Sequence, residues 1–362
     1  MNSRERIAAV FNFEEPDRVP VYDLMRNRAA LEHFAGLKPV TWENMREAAC
    51  KACAAGLDAT RTIRYPQRVR ESEENGFTYF HEEWTTWLTG RPFEGYEAFV
   101  AWLPGEIERL EAWDPWESGW FDEVVGDHRA LQDGMGSTVL VWGDPGTGFY
   151  KAYYQASMEY FSYLMVDEPA LLLRWLDARC EWNLRKIAAI ADEGVAPIAI
   201  IGEDIAGKGA TLFSPAFLRK AFFPNLRRLV GAYHDIGMKV IFHSDGYLMD
   251  ILADLVVTEI DGLNPLEPLA GMDLAVIKGR YGKRLVLVGG IDASELLPRG
   301  TPAQVREATI EALRIAAPGS GYCVGSSTEL NEAMPLENIL AMIETAWEYG
   351  RYPLKLQALA HA

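Results

Sequence analysis

From Val195 onward one unit repeats five times, a short apolar run followed by an amphipathic stretch. The runs are Pro197–Gly202, Lys239–His243, Ile260–Leu263, Arg284–Val288 and Gly321–Gly325. Helical patterns follow them at Pro215–Tyr233, Tyr247–Val256, Met272–Arg280, Pro302–Ala316 and Pro335–Tyr349. Short apolar runs without in-out alternation are what strands covered on both faces require. A strand followed by a helix, repeated, implies parallel pairing with right-handed crossovers. Three further strand candidates, Arg18–Tyr22, Leu57–Ile63 and Thr138–Trp142, bring the number to eight, as a closed barrel needs. The expected fold is therefore α/β, a (β/α)8 TIM barrel in one domain spanning residues 1–362. It carries an N-terminal extension and an inserted subdomain near residues 65–135. A doubly wound open sheet is the competing architecture, because a linear pattern does not show closure.

Within the insertion, Phe77–Trp87 reads as a strand or hairpin, with helical stretches after it. Seven of the eleven tryptophans lie between Trp84 and Trp142. Core packing of the added subdomain accounts for them; an aromatic wall over the barrel mouth is the alternative. The 362 residues are 49% hydrophobic, ample for a full core, and the net charge is −17. Such acidity repels phosphate backbones and anionic lipid surfaces, so neither nucleic acid nor membrane partners are expected. No apolar core of signal-peptide length follows the start, and no apolar run approaches a bilayer span. With only four cysteines (Cys50, Cys53, Cys180, Cys323), a reducing, cytoplasmic setting is expected. Cys50 and Cys53 have C-x-x-C spacing but sit in the helical-looking stretch Thr41–Gly56, and read as buried thiols.

Ligands in parallel α/β folds bind beyond the carboxyl ends of the strands. After the late strands come Glu203-Asp204, His243-Ser-Asp245-Gly, Asn264 with Glu267, Gly289-Gly290-Ile-Asp292, and Ser326-Ser327-Thr328-Glu329. All five are polar. In extended chain, residues i and i+2 project to one side, so His243 and Asp245 converge at the rim. They suit a metal ion or a general acid-base pair; a core histidine beside a helix-capping aspartate is the structural alternative. Glu203-Asp204, with Lys208 close behind, suits a tuned base, a metal ligand or a paired charge. Gly289-Gly290 lets backbone approach a ligand, but no nucleotide fingerprint accompanies it.

The stretches Gly202–Gly209, Val240–Gly246, Ile260–Pro265, Leu287–Asp292 and Met334–Asn338, with Arg18–Arg26 near the start, together resemble the uroporphyrinogen decarboxylase superfamily. The resemblance implies a (β/α)8 barrel with a deep cleft at the carboxyl end. It is closer to the corrinoid-dependent methyltransferase branch than to true uroporphyrinogen decarboxylases. The arginine-rich opening of the latter is only partly matched by Met25-Arg26-Asn27-Arg28, and no Phe-Ser-Asp follows Asp58-Ala59. The methyltransferase branch holds zinc with a His-x-Cys pair and a later cysteine. His243 matches the histidine, Asp245 stands where the first cysteine would be, and Glu329 falls in the region of the second.

That resemblance implies a methyltransferase moving a methyl group from a small methylated donor to a corrinoid carried by a partner protein. The implied cofactor is a divalent metal, zinc first, with Mn²⁺, Fe²⁺ or Mg²⁺ admitted by the oxygen donors. The expected metal ligands are His243, Asp245 and Glu329. Glu203, Asp204, His243 and Asp245 are the expected catalytic residues, and Arg26, Asn264 and Asp292 the substrate-binding ones. A homodimer is compatible with this reading. The rival is a decarboxylase or other lyase acting on a small carboxylate gripped by Arg26, Arg28 or Arg61. A non-catalytic small-molecule binding protein is a third reading.

Overall fold

The computed structural model describes residues 1–63, 65–143 and 146–354. Five strands form a continuous parallel sheet: Ile198–Gly202, Lys239–His243, Gly262–Asn264, Val286–Ile291 and Tyr322–Ser326, each paired with the next in chain order. Three short early segments complete the ring. Val21 pairs in parallel with Val324, Tyr22 with Ala59, and Trp142 with Ala199, while Ala59–Thr60 pairs with Val139–Leu140. Every strand thus has two parallel neighbours and the sheet closes on itself, a (β/α)8 barrel rather than an open sheet.

Closure separates two cores. Inside lie Tyr22, Ala59, Val139, Val141, Ile198, Ile200, Ile241, Val286, Val288 and Cys323, a cluster distinct from the larger one between strands and helices. The alternation is that of a pleated strand: Ile198 and Ile200 point in, Ala199 and Ile201 out. The helix Ser3–Phe11, opened by an Asn2–Glu5 capping box, sends Ile7, Val10 and Phe11 into the same inner cluster. It plugs the amino end of the barrel. Gly262 is glycine because a Cβ there would sit 3.2 Å from both Ile241 Cγ1 and the Val286 carbonyl and 3.7 Å from the Phe11 ring.

The plug is fastened electrostatically. Asp58 is fully buried and accepts from Arg6 Nη1 at 2.6 Å, Arg18 Nη1 at 2.6 Å, the Val21 amide at 2.8 Å and Ser3 Oγ at 3.0 Å. One carboxylate thereby ties the plug helix to the first two strands.

The early strands are shorter than expected. Pro20 has no N–H, so within the ring Arg18–Tyr22 pairs only at residues 21–22, although the Pro20 carbonyl still accepts from Val324; Arg18 instead bridges Arg351 in antiparallel. The third late strand begins two residues later than expected, which brings Asn264 into the sheet. The pattern Pro215–Tyr233 divides into Pro215–Ala221 and Phe223–Asp235, the second opening with Pro224 in its first turn. Only Leu252–Val257 of the stretch Tyr247–Val256 is helical.

The insertion is a three-stranded antiparallel sheet (Arg70–Glu74, Phe77–His81, Thr86–Gly90) followed by the helices Tyr96–Ala112 and Gly126–Met135. Its aromatics mainly pack: Trp102 stacks on Phe99 and meets Trp175 edge-on. Trp113, Trp120 and Trp182 surround the Lys186 ammonium. Cys50 and Cys53 are free and buried on the helix Met45–Gly56, and burial pushes the Cys53 thiol up to about 12.

Removing Asp58 leaves two arginines without their shared counter-charge. Asp58→Ala is expected to cost ~3–5 kcal/mol in chemical denaturation, whereas a loss below about 1 kcal/mol would show that the remaining Arg6–Asp17 pair and a new partner for Arg18 suffice.

Candidate functional site

The inward register of the first five strands, continued past their carboxyl ends, delivers side chains to one hollow of about 760 Å³. From Tyr22 it gives Leu24 and Arg26; from Ala59, Arg61; from Val141, Gly143. From Ile200 it gives Gly202 and Asp204, and from Ile241 it gives His243 and Asp245. All of these line the hollow, with Thr328 and Glu329 from the last strand's loop. Trp142, His128 and Leu131 extend the wall beneath the helix Gly126–Met135, and Tyr150 stands in the first turn of the helix Phe149–Ala156, after the third strand.

His243 is buried at the end of its strand. Its Nδ1 lies 2.7 Å from Asn264 Oδ1 on the neighbouring strand, which accepts the Nδ1 proton and leaves Nε2 with its lone pair. Arg61 Nη1 packs against the same ring, 2.7 Å from Nε2 and 3.0 Å from Nδ1. Burial, then the Arg61 charge, hold the imidazole well below its ordinary pKa of 6.5, so it is neutral at physiological pH. Asp204 Oδ1 lies 3.9 Å from Nε2 and 3.3 Å from the Asp245 amide.

Asp204, His243 and Asp245 each offer a ligand atom, and these atoms all lie within 4.8 Å of one another. Asp245 Oδ2 accepts from Thr328 Oγ1 at 3.4 Å, whereas its buried Oδ1 has no hydrogen-bond partner. Burial and then the nearby Asp204 push the Asp245 carboxyl up to about 7 from 3.8, and burial also raises Asp204. Two carboxylates and an imidazole nitrogen are a sound donor set for a divalent cation, and the orphaned Oδ1 is a vacant ligand atom. The residues present therefore fit a metal, although the third donor is Asp204.

Glu329, expected as that third ligand, is not in this group. Arg26 Nη1 holds its Oε1 at 2.6 Å, and Arg61 Nη2 lies 3.8 Å from its Oε2. Arg26, expected to bind substrate, lines the hollow but spends donors on Glu329 and on the Trp84 carbonyl. Arg28 pairs with Glu83 on the surface.

Glu203, expected to be catalytic, points the other way from Asp204, as alternation along the strand requires. Its carboxylate is buried outside the barrel wall and accepts from Thr147 Oγ1 at 2.5 Å, the Gly148 amide at 2.8 Å and the Tyr150 amide at 2.6 Å. It fixes the start of the helix Phe149–Ala156, which carries Tyr150, and does not face the hollow. Asn264 acts on His243 and not on the hollow directly. Asp292 accepts from the amides of Ser294, Glu295 and Leu296 at 3.1, 2.9 and 2.7 Å and caps the turn before the helix Leu296–Arg299.

Gly246 sets how closely Asp245 approaches Asp204. Its φ is +90°, and a Cβ would sit 2.7 Å from the Ala206 carbonyl carbon. The turn after His243 is thus pressed against the turn after Asp204. Two wall residues carry no mark in the sequence. His128 is spent on the Val195 carbonyl at 3.2 Å. Tyr150 follows a glycine-rich loop after the third strand, and that position was the only available sign.

A closed (β/α)8 barrel with an acidic, histidine-bearing rim defines a class of α/β enzyme scaffold. The family model for uroporphyrinogen decarboxylase (URO-D) matches residues 98–349, more than half of the chain, and the chain belongs to that family. Among solved structures it is similar to a methyltransferase from Methanosarcina mazei, with TM-score 0.69 and 18% identity over 96% of this chain and 99% of that one. It also matches a B12-independent methionine synthase from Shewanella sp. W3-18-1 in complex with selenomethionine, at TM-score 0.35 and 15% identity over 61% and 65% of the two chains. No curated protein sequence matches. Among the described residues no helix is long and apolar enough to cross a membrane.

Because the folded state holds the Asp245 proton more tightly than an unfolded chain does, it is the folded state that binds more protons between pH 3.8 and about 7. Stability must then fall as pH rises through that window. In chelator-treated protein, Asp245→Asn is expected to remove the Asp245 share of this decline and leave that of other raised carboxyls such as Asp23, so its urea midpoint gains on the wild type toward pH 7. Parallel profiles would mean that Asp245 titrates normally.

Proposed function

We propose that this chain is a methyltransferase of the demethylase type. It moves a methyl group from a small methylated donor to a corrinoid held by a partner protein, with a divalent cation, zinc first, at Asp204, His243 and Asp245. The observation that carries this reading is the convergence of three ligand atoms within 4.8 Å, one of them a buried carboxylate oxygen without a partner. A cation held there supplies Lewis acidity toward the donor heteroatom, making the demethylated product a better leaving group.

The chain's own residues supply the rest. Asn264 holds the Nδ1 proton of His243 and so presents Nε2 to the hollow. Val141, Ile200 and Leu140 give the hollow an apolar floor that limits water around the reacting carbon. Glu203 fixes residues Thr147–Tyr150, where the helix Phe149–Ala156 begins at the mouth. The Arg26–Glu329 pair closes the rim between the first and last strands.

A second reading keeps the site and changes the reaction to decarboxylation of a small carboxylate. It is favoured by two guanidinium groups, Arg26 and Arg61, in the same hollow as an Asp245 carboxyl raised to about 7. A carboxylate would pair with the arginines while Asp245 returns the proton to the carbanion left by carbon dioxide.

Elemental analysis of purified protein should find a stoichiometric divalent metal that His243→Ala and Asp204→Ala lose. Methyl transfer to an added corrinoid protein should fall by about 10²-fold or more in the same variants. Full activity in metal-free protein would remove the Lewis-acid role. Carbon dioxide released from a small carboxylate without any corrinoid protein would establish the second reading instead.

A further inference from the structure

We propose that Arg61 is a resident cation that keeps the three-donor site closed, and that Glu329 is the seat to which it withdraws when a divalent ion enters. This rests on the cation site proposed above and adds how its occupancy is controlled. The Arg61 guanidinium lies against the His243 ring, 2.7 Å from Nε2 and 3.0 Å from Nδ1. Nε2 is also the nitrogen 3.9 Å from Asp204 Oδ1. The cation therefore already lies against one of the three donors that a metal needs, the imidazole.

A guanidinium does not lose its proton at any pH a protein survives, so it is removed only by moving. A divalent ion on the same imidazole would be a like charge a few ångströms away in a poorly solvated hollow. The two cannot both remain at the ring.

The receiving seat is already half built. Glu329 offers one oxygen to each arginine: Oε1 is held by Arg26 Nη1 at 2.6 Å, while Oε2 faces Arg61 Nη2 at 3.8 Å. The other contact of Nη2, to the Thr328 carbonyl, is 3.5 Å long. A well-formed guanidinium–carboxylate bond is ~2.7–2.9 Å, so a shift of roughly 1 Å toward Glu329 would tighten that pair as the arginine leaves the imidazole.

The test is Co²⁺ titration of chelator-stripped protein, followed by calorimetry and by the visible absorption of bound cobalt. Arg61→Met should bind Co²⁺ about tenfold or more tightly than wild type, because a like charge is gone. Arg61→Lys keeps the charge and should stay near wild type, which a packing role for Arg61 would not produce. Glu329→Gln should weaken binding by removing the seat, and this effect should vanish in the Arg61→Met/Glu329→Gln double variant. If wild type binds Co²⁺ and Arg61→Met binds no more tightly, the gate is wrong and the metal site stands. Weakening by Glu329→Gln that persists without Arg61 would make Glu329 a ligand and overturn its role as seat. If neither wild type nor Arg61→Met binds Co²⁺, the metal site itself fails and the gate with it.

Discussion

Each strand of the ring is hydrogen-bonded on both sides, and a one-residue slip of any of them would exchange its inner and outer faces. The inner face of Ile198–Gly202 continues as Asp204, and that of Lys239–His243 as Asp245. Register therefore fixes the rim as firmly as it fixes the core. The helix Ser3–Phe11 fills the other end of the cylinder, so the hollow at the rim is blind. A blind polar hollow with an apolar floor concentrates whatever charges its rim carries, which is why burial dominates the shifts at His243, Asp204 and Asp245.

The later half of the fold was legible because Ile198–Gly202, Lys239–His243 and Val286–Ile291 are rich in Ile, Val and Leu and stand out against their helices, while Gly262–Asn264 and Tyr322–Ser326 follow from the repeat of the unit. The early strands were legible only as candidates. Pro20 removes a ladder donor, and Ala59–Thr60 and Val139–Leu140 pair over two residues each. Closure itself rests on contacts such as Val21 with Val324, between residues some three hundred positions apart, and no local pattern encodes such a contact. The break before Pro224 was visible in principle, since proline belongs in the first turn of a helix and not in its middle.

At the site, the same alternation that singled out His243 and Asp245 also separates Asp204 from Glu203. Counting in twos from Ile198 and Ile200 reaches Gly202 and Asp204, and leaves Glu203 on the outside. The composition of that dipeptide could not make the choice; the parity of the strand could. Arg61 follows from Ala59 by the same count. What parity could not give is who pairs with whom. Glu329 is captured by Arg26 from the opposite end of the chain, and Asp292 is drawn to three backbone amides at a turn. Both choices depend on which donors arrive nearby after folding.

The cluster at Asp204, His243 and Asp245 is balanced between two kinds of occupant. Metal ligands must be deprotonated, so a bound cation competes directly with protons. His243 is already neutral, and Asp245, raised to about 7, gives up its proton at little cost near neutral pH. A carboxyl with an ordinary pKa would be no better as a ligand at that pH and much poorer as an acid. The desolvation that makes Asp245 able to donate a proton is therefore the same desolvation that leaves its Oδ1 without a partner for a cation to satisfy. Lewis-acid chemistry with a bound cation and Brønsted-acid chemistry without one would draw on one physical cause. On the proposed reading the occupant of this site selects between them, and the imidazole already has one cation against it, the guanidinium of Arg61.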